Sequence, residues 1–168
     1  MTGLAELLAE RAIRAVVMRY CRAIDRMDEE LLRGCYHPDA TEDHGGYRGD
    51  LDGFVAWVWP MLDRYTMTMH VVANTLVDFA AGRPDVARAE TYGVAYHRDE
   101  REPGSRRNFV SGFRYLDRFE HRPGAGWRIA ARVVAVEWSR ADPAEGHVPL
   151  PPSITRGARD RTDPLYHT

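Results

Sequence analysis

The sequence contains no lysine: all 23 basic residues are arginine. A Schiff base with substrate, or pyridoxal phosphate held by a lysine, is therefore excluded. The composition is that of an arginine- and alanine-rich chain of the kind GC-rich bacterial genomes encode. Cysteine is scarce, with only Cys21 and Cys35, far from any CxxC spacing. Cys21 falls on the apolar stripe of a predicted helix and reads as a buried free thiol, which suits a reducing cytoplasm. Neither charge sign dominates; at a net charge of −2 there is no electrostatic case for a nucleic-acid partner. No apolar run approaches the length of a membrane span, and no basic region followed by an apolar run opens the chain, so neither membrane nor leader is expected. No glycine-rich strand-to-helix turn is present. The charged stretch "HRDEREPGSRR" lacks that context and reads as a solvated loop, so no cofactor is expected and chemistry must come from side chains.

What is present has two periods. Ile13, Val16, Val17, Tyr20, Cys21 and Ile24 recur at three-and-four spacing, predicting a long first helix whose buried stripe ends at Asp25. A short helix over 28–34 follows, with Asp28 as N-cap and Gly34 as stop. "CYHPDATEDHGGYRGDLDGF" reads as a turn, a short strand and a hairpin-like loop, and a third helix spans about 51–63. Beyond it the period changes to two, predicting long strands over 66–79, 86–98, 107–120 and 127–138. Helices followed by long strands imply an α+β domain: a cone-shaped, strongly curved, mixed or antiparallel sheet with the N-terminal helices over its concave side, enclosing a pocket. The domain is expected to occupy 1–138. Residues 139–168 read as a proline-rich tail, extended or packed on a neighbouring subunit.

Three ionisable residues fall among apolar neighbours and must find partners. Asp25 closes the apolar face of the first helix. His70 shares one strand face with Val72, Asn74 and Leu76, and Arg132 shares one with Ala130, Val134 and Val136. An Asp–His pair in an apolar pocket is a workable general base, and an arginine could hold an oxygen that gains charge. Read singly, each has a plainer explanation as a core or rim histidine, half of a structural ion pair, or a solvated helix end. Tyr92, Tyr96 and His97 are candidates for the pocket wall, although alternation puts the tyrosines on one face and His97 on the other. Asn74, Phe54 and Trp57 are further candidates. Asp43 and His44 are near enough to share a metal, but no third ligand is in sight and no metal is expected.

From residue 4 to residue 138 the chain resembles the SnoaL-like branch of the nuclear transport factor 2-like superfamily. The resemblance is carried by "RAIRAVVMRYCRAIDRMDEELLRGCYHPDATED", "GYRGDLDGFVAW", "TMTMHVVANTLVDF", "ARAETYGVAYHR" and the strand after "GWRI". Within it the chain looks most like the lyases: bile acid dehydratase, scytalone dehydratase and hexachlorocyclohexane dehydrochlorinase. The resemblance implies that Asp25 is the acid and His70 the base of a proton-abstracting dyad. Arg132 would lie near the leaving side, and Tyr20 matches the helix tyrosine of the bile acid enzyme. The dehydrochlorinase's helix lysine and the adjacent Tyr-Asp pair of scytalone dehydratase have no counterpart here, and His97 matches the latter's second strand histidine only roughly.

The expectation is a cofactor-independent lyase, eliminating water or another β-leaving group from a small apolar molecule of polyketide or steroid type. An isomerase or aldol-type cyclase using the same base is the alternative. A non-catalytic ligand-binding or assembly module is the other, since fold does not fix function. Strands apolar on both faces need cover on both, so a homo-oligomer, most simply a two-fold dimer, is also expected.

Overall fold

The computed structural model describes residues 3–99, 107–143, 148 and 150–167. Three helices, α1 (Gly3–Asp25), α2 (Glu29–Gly34) and α3 (Leu51–Leu62), pack on a six-stranded sheet. The strands are β1 (Tyr36–Asp43), β2 (Arg48–Asp50), β3 (Met67–Ala80), β4 (Arg83–Asp99), β5 (Arg107–Arg122) and β6 (Gly126–Pro143). Their order is β2-β1-β6-β5-β4-β3, with β1 and β6 parallel and every other pair antiparallel. This is the curved, mixed sheet with helices on one face that the sequence predicts.

All six stripe residues of α1 are buried, and they meet Phe54, Val58 and Leu62 of α3 and Phe119 and Ile129 of the sheet. The helix ends where the chain turns left-handed at Met27 (φ 51°), with the Asp28 amide donating back to the Ala23 carbonyl at 2.9 Å. Asp28 then caps α2 by accepting from the Leu31 amide, as its position predicts. Asp50 caps α3 through the Gly53 amide at 2.8 Å. The left-handed turn at Met27 and the Asp28 cap fix where α1 stops, which places Asp25 in its final turn, within reach of β3.

Bulges reset the alternation that simple period-two reading assumes. In β3 the register passes from Val72↔Gly93 to Thr75↔Thr91, so two residues of β3 face one of β4. His70 and Val72 face the concave side. Beyond the bulge Thr75, Val77 and Phe79 take that side while Asn74 and Leu76 stand exposed. The sequence reading, which carried His70, Val72, Asn74 and Leu76 along one face and Val77 on the other, is corrected from the bulge onward. A similar shift opposite Phe119 brings Ile129 into the core, where unbroken alternation would have put it outside.

The sheet also runs further than the sequence suggests. β6 continues to Pro143, five residues beyond Trp138. The described part of the tail lies on its own chain: Arg159 donates to the Leu62 and Tyr65 carbonyls, and Asp163 pairs with Arg26 at 3.1 Å. The domain boundary expected at 138 therefore falls inside a strand.

Two glycines allow aromatic rings to lie flat on the sheet. A Cβ at Gly93 would sit 2.5 Å from Cζ of the buried Phe113, whose ring reaches His70. A Cβ at Gly112 would collide with the Trp138 indole, which is 46% exposed on the outer face. Gly93→Ala should cost about 1–3 kcal/mol, because Phe113 has nowhere to move. Gly112→Ala should cost less, because Trp138 can swing into solvent. Chemical denaturation of the two variants checks this order.

Candidate active site

Asp25 and His70 meet. His70 Nδ1 lies 2.7 Å from Asp25 Oδ1, and the His70 backbone amide donates to Asp25 Oδ2 at 2.9 Å. Both carboxylate oxygens are thus used on one residue, anchored at once by ring and backbone. The amide bond fixes the carboxylate, and the carboxylate fixes the ring so that Nδ1 carries the proton toward Asp25. Nε2 is left as the nitrogen able to accept a proton from elsewhere.

His70 stands on the wall of a cavity of about 150 Å³ between the sheet and α3. Trp57, Val58, Met61 and Leu62 line it from α3, Tyr20 and Ile24 from α1, and Phe113, Tyr115, Val134 and Val136 from the sheet. The residues with polar groups in its lining are His44, His70, His97, Ser111, Tyr20 and Tyr115. The remaining wall is apolar, the kind of surface that binds small molecules by burial while a few polar groups orient them.

Of the residues the sequence singles out, Tyr20, Trp57, His70 and His97 line this cavity and Asp25 stands behind His70. Phe54 does not line it: the ring is fully buried, stacked beneath His44 at 4.8 Å. Asn74 is removed by the β3 bulge. Tyr92 is on the outer face, its ring 5.8 Å from the Arg114 guanidinium, and Tyr96, next to the inward His97, alternates to the same outer side. Asp43 and His44 do not share a ligand. Asp43 turns outward to Arg48 and the Gly45 amide, and His44 turns inward to Glu42.

Arg132 is the largest departure. Its guanidinium is not on the cavity wall but enclosed behind it, 1% exposed. Nε and Nη2 donate to the two oxygens of Asp117, each at 2.7 Å. The Tyr20 and Tyr115 rings cover it at 4.1 and 3.9 Å from its centre to theirs. Burial works against the charge, but Asp117 above all holds Arg132 protonated. Burial also pushes Asp117 up while Arg132 pulls it down. The bidentate geometry requires the ionised carboxylate, so we read the pair as charged on both sides. Burial likewise raises the Tyr20 phenol well above its ordinary range against the opposing pull of Arg132, which keeps it a hydrogen-bond donor.

Sequence reasoning missed Asp117, Glu42 and Ser111. Asp117 was open to detection: alternation places it on the face of Phe113, Tyr115 and Phe119, directly across from Arg132. An acid amid inward aromatics implies an inward base.

The model of the SnoaL-like domain matches residues 5–133. The chain belongs to that family. A comparison with curated proteins yields no match. Among solved structures, the SnoaL-like chain is similar to a hexachlorocyclohexane dehydrochlorinase from Novosphingobium barchaimii (TM-score 0.74, 17% identity, 89% of this chain and 100% of that one). It is also similar to a putative scytalone dehydratase from Novosphingobium aromaticivorans (0.71, 18%, 94% and 99%). A nuclear transport factor 2-like protein from Salmonella enterica scores 0.68 at 16% identity, over 84% and 99% of the two chains. At these identities the likeness is one of fold, the nuclear transport factor 2-like cone.

Two outcomes follow. Asp117→Asn should destabilise by about 3–5 kcal/mol, because it leaves Arg132 charged, buried and unpaired. Replacing both partners with apolar residues, as in Arg132→Met with Asp117→Leu, should cost less than the single change, which thermal melting will measure. The second outcome concerns His97. Burial, then the nearby His70, lower it from 6.5 to about 4. Above 6.5 the folded and unfolded chains both carry it neutral. Between 6.5 and about 4 only the unfolded chain takes up the proton, so stability falls as pH falls through this window, by roughly 3 kcal/mol in all. His97→Gln should flatten that part of the melting-temperature profile.

Proposed function

We propose that the protein is a cofactor-independent lyase acting on a small, largely apolar carbonyl compound, with His70 as general base. One observation carries this reading: a carboxylate that gives both oxygens to a single histidine, beside an apolar cavity into which the free face of that ring opens. That arrangement supports a general base over a wall that only binds. His70 Nε2 takes the proton from the carbon beside the carbonyl, the C–H electron pair becomes a double bond, and the group on the next carbon departs with its own electrons. Asp25 holds the tautomer and offsets the charge the ring gains. Tyr20, kept protonated by burial, donates to the carbonyl oxygen as charge develops there, the role the sequence reading gave to Arg132. Arg132 acts one layer back, holding Tyr20 in place. Membership of the SnoaL-like family, and likeness in fold to a dehydrochlorinase and a scytalone dehydratase, support a lyase.

Assembly belongs to the same proposal. No described helix is long and apolar enough to cross a membrane. On the convex face Val71, Leu116, Val133 and Trp138 stand exposed, which fits a homodimer formed through the sheet.

Incubation with a series of β-hydroxy ketones, followed by mass spectrometry for loss of water, should find turnover in the parent. His70→Ala should reduce it by about 10²–10⁴ and Asp25→Asn by as much or less. Both variants should melt close to the parent. Large melting losses with normal turnover in the folded fraction would assign the pair a structural role instead.

A further inference from the structure

A second carboxylate–imidazole pair stands on the same cavity, and proton abstraction by His70 does not use it. Glu42 is 1% exposed. Its Oε1 accepts from the Tyr36 hydroxyl and its Oε2 lies 3.0 Å from His44 Nδ1. The His44 ring is braced from below by Phe54 at 4.8 Å and 28°, and it lines the cavity together with His70. His44 follows β1 and His70 lies on β3, with β6, β5 and β4 between those strands in the sheet. The curl of the sheet is what brings both onto one cavity. A buried carboxylate needs hydrogen-bond donors, and Tyr36 with any neighbouring amide would meet that need. It does not need a titratable ring set on the wall of a ligand-sized cavity.

We propose that His44 is the acid of the reaction, and that the leaving group is accordingly a hydroxyl and not a halide. This rests on the reading of His70 as the base. In its protonated form the His44 ring gives Nδ1–H to Glu42 and keeps Nε2–H as the donor for a molecule in the cavity. As His70 Nε2 takes the proton from carbon and the double bond forms, the C–O bond breaks and its electron pair stays on oxygen. That oxygen takes the proton from His44 Nε2 and leaves as water. His44 ends neutral and His70 ends protonated, and exchange with solvent resets both. Hydroxide is a poor leaving group and needs this proton; chloride leaves with its electron pair and does not. Glu42 and Tyr36 are positioning residues, which hold the His44 ring and compensate the charge it carries before transfer.

The test compares the four-carbon β-hydroxy ketone with its β-chloro counterpart, which give the same enone, using parent, His44→Gln, Glu42→Gln and His70→Ala. His44→Gln keeps an N–H but cannot transfer a proton. It should slow the hydroxy ketone about 10²-fold or more and the chloro ketone less than about fivefold. Glu42→Gln, which keeps a partner for both Tyr36 and His44, should show the same split in milder form and serves if His44→Gln fails to fold by melting. His70→Ala should slow both substrates alike. Equal losses on both ketones for His44→Gln and Glu42→Gln, or no loss on either, would overturn the acid while leaving the base intact. A His70→Ala variant as fast as the parent, or a parent that consumes neither ketone, would overturn the base and the acid with it.

Discussion

A guanidinium sits behind the wall of an apolar cavity with almost no solvent contact, and much of the surrounding structure is arranged to keep it there. Asp117 takes two of its N–H groups from the adjacent strand, and Tyr20 and Tyr115 cover it with their rings. Removing either ion alone would strand the other in a medium that cannot solvate it, so β5, β6 and α1 must keep their mutual placement. Tyr20 is one turn and a half before Asp25 on the same helix. The contact that seats Tyr20 against Arg132 therefore also sets the height at which Asp25 meets His70. A charged core pair is weak evidence for stability, but here it ties a helix to a sheet at the level of the site.

The general architecture was open to reading because it depends on period and order. The α1 stripe, the Asp28 cap and the switch from period 3.6 to period 2 are local signals, and each survives in the structure. Asp25 and His70 are legible from period because they lie before any irregularity in their own elements, whereas Tyr20 enters through the family resemblance. Asn74 and Leu76 were misplaced because a bulge is an extra residue set against a partner strand, and one strand's sequence does not reveal its partner's register. Phe54 was misjudged because helix periodicity says that a residue is buried, not whether ligand or protein buries it. Arg132 was given to the ligand because its true partner lies fifteen positions earlier, on a strand whose pairing was unknown.

The same curvature accounts for the chemistry. Long strands of fourteen to eighteen residues bend far enough for the two ends of one sheet to face each other across a cavity. β3 supplies His70, held by Asp25 of α1, and the other side of the sheet supplies Glu42–His44. A site with two proton-carrying rings held by two buried acids suits a reaction that takes a proton from one atom and gives one to another. The apolar lining keeps water from competing for either transfer.

The central claim is that His70 removes a proton from carbon, and it can be tested apart from any leaving group. Butanone has no β-substituent, so the only chemistry available to it in the cavity is reversible loss of a proton beside the carbonyl. Followed by proton NMR in deuterated water, the parent protein should speed the disappearance of those α-proton signals well beyond buffer alone. The His70→Ala variant should not, and His44→Gln should retain most of the effect. Exchange no faster than buffer with the parent, or equally fast with His70→Ala, would contradict the account.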